Sequence, residues 1–173
     1  MDHVNRSRFW KADQLNKDHL KLEIQKINIC AYLNPTCRPK CLPSNHWVMF
    51  LQYSDTSSIK VDMHPGQLGG TIDVSSKTYT NSNRAVHIFS LEPMGEFTGQ
   101  DILDLIAENR LHQYDFNEDN EGCRFWIFTI LEFLEWDGFL PVGTAKSSRD
   151  ALSYLYTKPG ESMPREIQYG TFY

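Results

Sequence analysis

No apolar run in this 173-residue chain approaches the roughly 20 residues needed to cross a bilayer. The opening stretch, Met1-Asp2-His3-Val4-Asn5-Arg6, has none of the apolar core of a signal peptide. Cysteine is scarce: there are four (Cys30, Cys37, Cys41, Cys123), and no Cys-x-x-Cys pair stands among them. Clustered positive charge is missing too. The formal net charge is −5, and the only locally basic stretches are the short Lys21–Lys26 and Arg38–Lys40. Internal repeats and low-complexity segments are absent.

These absences exclude whole classes. Neutralising nucleic-acid phosphates takes clustered Lys and Arg, so no nucleic-acid partner is expected. The expected location is cytoplasmic, with no membrane span and with free thiols instead of disulfides. Cys30, Cys37, Cys41 and His46 match no common zinc spacing, and the acidic stretch Asp115–Glu121 lacks the alternating ligands of a calcium loop. The glycine-rich Gly66–Gly70 precedes a strand and lacks the Lys-Ser/Thr ending of a phosphate loop. Asp101, Asp104 and Glu108 fit the solvated face of an amphipathic helix better than a metal-binding face. Neither a metal nor a cofactor is expected.

What is present is ordinary globular composition, with 40% apolar and 23% charged residues. The length suits a single domain over residues 1–173, and says nothing of oligomeric state. Residues 1–20 read as an N-terminal arm, 21–92 mainly as strands, 98–157 mainly as helices and 158–173 as a tail. Residues 22–33 alternate apolar and polar side chains, with a slip of phase at Lys26. His46–Tyr53 and Ile59–His64 predict a hairpin about Ser54-Asp55-Thr56-Ser57. Two more strands are expected at about 71–78 and 84–91.

Thr98, followed by Asp101, predicts a capped helix start. The run Cys123–Trp136 is apolar almost all round, which predicts a buried central helix stopped at Gly138. A last helix is expected from Ser147 or Ser148 through Tyr156, halted by Pro159-Gly160, and 166–173 suits an edge strand. Strands followed by helices, not alternating with them, give an α+β fold: an antiparallel sheet of about five strands packed on the central helix.

Two residues stand out chemically. Cys123, at the expected start of the central helix, meets a dipole that favours its anion and backbone N–H groups suited to an oxyanion. Gly122 permits close backbone approach there, and Asn120 is a candidate cap. His46 opens a hydrophobic strand. Counting out from Asp55 places His46 opposite His64, with Asp62 a diagonal neighbour, so either could orient the imidazole. The alternative for Cys123 is packing, since free cysteine is among the most buried residue types. Trp47 and Trp126 suit an apolar substrate pocket or a core, and Arg124 either an anionic substrate group or the acidic loop.

His46-Trp47-Val48-Met49-Phe50-Leu51, then Val61-Asp62-Met63-His64-Pro65, then Gly122-Cys123-Arg124-Phe125-Trp126 resemble the permuted papain-like layout. That layout belongs to the lecithin:retinol acyltransferase-like and phospholipase/acyltransferase proteins. The resemblance implies Cys123 as nucleophile, His46 as base and His64, or else Asp62, as its orienter. The family's segment usually reads Asn-Cys-Glu-His-Phe, of which only the cysteine and one aromatic stand here. Tyr114-Asp115-Phe116-Asn117-Glu118, with Gly-Cys-Arg-Phe-Trp, also resembles a set of small fungal proteins. The resulting expectation is a thiol-dependent hydrolase or acyltransferase acting on a small-molecule or acyl substrate. Two alternatives stand beside it: a non-covalent biosynthetic enzyme using His46 as general base, and a non-catalytic module that binds a small molecule or partner.

Overall fold

The computed structural model of the protein describes residues 8–34, 43–66 and 69–173. Cys37 and Cys41 lie outside the described residues. A six-stranded sheet forms from β1 (Trp10–Lys11), β2 (Lys26–Leu33), β3 (Asn45–Ser54), β4 (Ser57–Gly66), β5 (Gly69–Lys77) and β6 (His87–Leu91), in the order β1-β5-β4-β3-β2-β6. Every pairing in it is antiparallel except the short parallel contact of β1 with β5. The sheet thus has one strand more than expected, because the arm around Trp10 adds an edge. The phase slip at Lys26 marks the true start of β2; ahead of it, Glu23 makes only an isolated bridge to Thr98.

Alternation decides the two faces. Trp47, Met49 and Leu51 of β3, with Ile59, Val61 and Met63 of β4, point into the main core and are fully buried. The opposite face carries a small cluster of Cys30, Val48 and Phe50 together with polar side chains. Three helices follow: α1 (Gly99–Glu108), α2 (Cys123–Trp136) and α3 (Thr144–Leu152). α2 is the expected central helix. Trp126, Ile127, Ile130, Leu131 and Leu134 are completely buried, each contributing about 1.5–3 kcal/mol of burial. Gly138, at φ 80, stands one residue past its cap.

The C-terminal region departs from expectation. α3 starts at Thr144 and ends at Leu152, and Tyr154–Lys158 is a strand (β8) hairpinned to β9 (Glu161–Pro164). Tyr154-Leu155-Tyr156-Thr157 is rich in residues that favour strands, and Gly160 at φ 81 sits in the hairpin turn where a helix stop was expected. The tail supplies β10 (Thr171–Phe172), paired with β7 (Tyr114–Asp115) in front of α2. Among the described residues, no helix is long and apolar enough to cross a membrane.

Candidate active site

Three side chains distant in sequence meet at one end of the sheet. The backbone ladder between β3 and β4 runs from the turn to Met49 and Val61 and is not continued to His46 and His64. The register as far as Met49 and Val61 is the one the turn count gives, but the ladder stops short of the two histidines. The orienting contact comes instead from Asp62, whose Oδ1 lies 2.6 Å from His46 Nε2. His64 turns aside, its Nδ1 3.4 Å from the Pro65 carbonyl. Asp62 was the second choice for this position, and geometry makes it the first.

With Nε2 committed to Asp62, Nδ1 is the imidazole nitrogen left for chemistry. Burial works against charge on His46, but the hydrogen bond it donates to Asp62 and the nearby Cys123 side chain outweigh it and raise the pKa to about 10. Burial likewise opposes charge on Asp62, and the His46 hydrogen bond, aided by Lys60, overcomes it and lowers that carboxyl to about 2. Both shifts favour the charged forms, so each group stabilises the charge of the other across the 2.6 Å contact.

Cys123 is the first residue of α2 and is 8% exposed. Its thiol donates to the Asn45 carbonyl at 3.6 Å. Asn120 does not cap the helix; the N-cap is Gly122, at φ 146, with no side-chain hydrogen bond. Tyr114 holds that glycine in place: its hydroxyl donates to the Gly122 carbonyl at 2.8 Å and accepts from Gly170 N–H at 3.0 Å. A Cβ on Gly122 would meet Tyr114 Oη at 2.5 Å. The first-turn N–H groups have no intrahelical acceptor, as in any helix, and the N-cap glycine has no side chain to supply one. The position of Cys123 thus combines the positive helix terminus with adjacent unused donors.

Asn45, to which no role was assigned from sequence, braces the site from behind. Its Nδ2 donates to the Tyr156 carbonyl at 2.8 Å, and its Oδ1 accepts from Tyr156 N–H at 2.8 Å. The side chain thus pairs with β8 as a strand would. Nothing in the local sequence announces a partner 111 positions away.

Three expected substrate contacts are placed elsewhere. Trp47 and Trp126 are 0% exposed, and the Trp126 indole N–H donates to the Leu111 carbonyl at 2.7 Å; both are core residues. Arg124 is buried and donates Nη1 to the carbonyls of Leu152 (3.0 Å) and Arg165 (3.1 Å), beside Glu121. Through these bonds it ties the helix start to α3 and the tail. Among the described residues, no group of three His, Cys, Asp or Glu side chains is arranged to hold a metal.

A thiol at an open helix start, an imidazole beside it and a carboxylate behind the imidazole define a candidate Cys–His–Asp site on an α+β scaffold. The chain belongs to the family described as a domain of unknown function, DUF7770, whose model matches residues 27–173 and so spans all three residues. No curated protein and no solved structure matches the chain.

Proposed function

We propose that this protein is a thiol-dependent hydrolase or acyltransferase with the permuted papain-like arrangement of its site. The observation that carries the reading is the convergence of His46, Asp62 and Cys123 from β3, β4 and the uncapped start of α2. In the first step the Cys123 thiolate, paired with the His46 imidazolium, attacks an acyl or amide carbonyl, forming a C–S bond. The N–H groups at the start of α2 hold the resulting oxyanion. Collapse of the adduct breaks the bond to the leaving group, which takes its proton from His46. Water or another acceptor then attacks the thioester while His46 receives its proton, and Cys123 is released.

The same electrostatics argue against His46 acting alone as a general base. Asp62 and Cys123 favour the imidazolium at neutral pH, which suits a thiolate partner and leaves no free base for non-covalent proton abstraction.

The test is peptide-resolved iodoacetamide labelling across pH. Cys123 should label with a midpoint well below the ordinary thiol value of about 8.5, and His46→Ala should abolish that advantage. Cys30, whose thiol burial pushes up to about 12, serves as the internal control. Slow labelling of Cys123 with an ordinary midpoint would reduce it to a packing residue and end the thiol reading. Given fast labelling, esters, thioesters and amides are the substrates to screen, with Cys123→Ser expected to keep the fold and lose turnover.

A further inference from the structure

The Asp62 carboxylate uses its two oxygens on two different cations. Oδ1 holds His46 Nε2 at 2.6 Å, and Oδ2 lies 2.6 Å from Lys60 Nζ. Lys60 and Asp62 are two positions apart on β4 and so share the sheet face opposite the main core. The lysine side chain is only 22% exposed and the aspartate 11%, so the ammonium lies along the sheet and not out in solvent. Tyr32 on β2, in register with His46, is the other titratable side chain that feels this carboxylate.

Stability does not explain such a pair. Bringing a lysine out of water costs desolvation that its attraction to one carboxylate seldom exceeds, and an apolar side chain of similar size often does as well or better. The pairing does fix geometry. A carboxylate held at one oxygen can rotate about its side-chain torsions, whereas one held at both presents Oδ1 to the imidazole in a single orientation.

We propose that Lys60 is a positioning residue of the candidate active site, clamping Asp62 Oδ2 so that Oδ1 fixes the His46 ring towards Cys123. The proposal rests on the thiol-enzyme reading for its catalytic meaning, but its physical content is the orientation of His46. Two readouts keep the ideas apart. The first is the His46 Nε2–H proton resonance, shifted downfield by a short bond to a carboxylate and sharp only while that bond persists. The second is the rate of Cys123 alkylation.

Lys60→Met should broaden or erase the His46 resonance and slow Cys123 alkylation roughly tenfold to a hundredfold, the size of effect expected when a reacting group is loosely held. Lys60→Arg, which keeps a cation against Oδ2, should retain the resonance and recover most of the rate. Should the methionine variant fail to fold, Lys60→Gln is read for the same loss. A resonance unchanged in the neutral variant overturns the proposal, including where unfolding shows a lower stability, because the lysine is then an ion pair and nothing more. Slow wild-type alkylation combined with loss of the resonance in Lys60→Met would instead sink the thiol reading and leave Lys60 as the holder of a His46–Asp62 pair.

Discussion

The starts of α1 and α2 are built from opposite principles. α1 begins on Thr98, whose hydroxyl accepts from Asp101 N–H at 3.3 Å while the Asp101 carboxylate accepts from Thr98 N–H at 2.7 Å. That reciprocal box consumes the helix's spare donors with its own side chains. α2 begins on Gly122, which has no side chain to offer, and Cys123 occupies the first turn that would have been capped. The far end of α2 is fully closed: Phe139 N–H reaches the Leu134 carbonyl at 2.8 Å and Gly138 N–H reaches that of Glu135 at 3.1 Å, the Schellman arrangement. Sequence therefore closes one end of the central helix and leaves the other open beside a thiol and an imidazolium. A missing cap forgoes about 1 kcal/mol, which the burial around Trp126 and Ile127 easily offsets.

The largest effect should follow from filling the open start. Gly122→Ala places a side chain at φ 146 and against the Tyr114 hydroxyl. We expect a loss of about 2–4 kcal/mol in urea unfolding, from backbone strain together with the steric conflict. Cys123 labelling should slow in the same variant as the helix start shifts. An alanine tolerated with unchanged labelling would mean that the start of α2 is not the tightly held element described here.

Removing the brace behind the site comes next. Asn45→Ala deletes a side chain 3% exposed and leaves Tyr156 N–H and the Tyr156 carbonyl without partners. The expected destabilisation is about 1–3 kcal/mol, with faster amide exchange at Tyr156 than elsewhere in β8. Uniform acceleration across the sheet would show that Asn45 supports the whole fold and not this junction.

Much of this geometry was legible in the residues themselves. The β3–β4 hairpin followed from two strand-like segments, the first an apolar run, on either side of the polar turn Ser54-Asp55-Thr56-Ser57, α2 from its apolar run and trailing glycine, and the α1 box from Thr98 and Asp101. His46 and Cys123 stood out because each sits at the start of a strongly apolar element. The choice between Asp62 and His64 was not legible, since it depends on where the ladder stops, and both residues lie on the same face of β4. For Trp47, Trp126 and Arg124 the sequence leaves both roles open, because aromatic and cationic side chains serve pockets and the protein's own interior alike. Lys60 was readable in principle: a lysine two positions before a buried aspartate shares its face in any strand. The helix expected to run through Tyr156 ends at Leu152, because Tyr154–Thr157, rich in residues that favour strands, pairs with β9 instead.

On the closed side of the comparison, Thr98→Ala should cost about 1 kcal/mol, within the 0.5–2 range for a lost cap, and should leave the pH midpoint of Cys123 labelling where it was. A shift of that midpoint would couple α1 to the site and blunt the contrast between the two helix starts.

The smallest effect concerns α3, which begins like α2 on a glycine, Gly143 at φ 93, but is capped from outside. Glu135, in the last turn of α2, accepts from Gly143 N–H and Ala145 N–H, each at 2.8 Å. Those bonds, Gly143 first, hold its carboxyl below the usual glutamate value of 4.5. A depressed folded pKa means stability that is present above the unfolded value and is lost as pH falls through the folded one. Glu135→Gln keeps one acceptor and loses the charge. Wild type should therefore exceed the variant slightly near neutral pH, and the two unfolding curves should converge as the pH drops below about 4. A difference that persists into acid would assign Glu135 to packing. Convergence would show that the last turn of α2 supplies the cap of its neighbour by charge, while the first turn of the same helix, with the same kind of donors exposed, is given none.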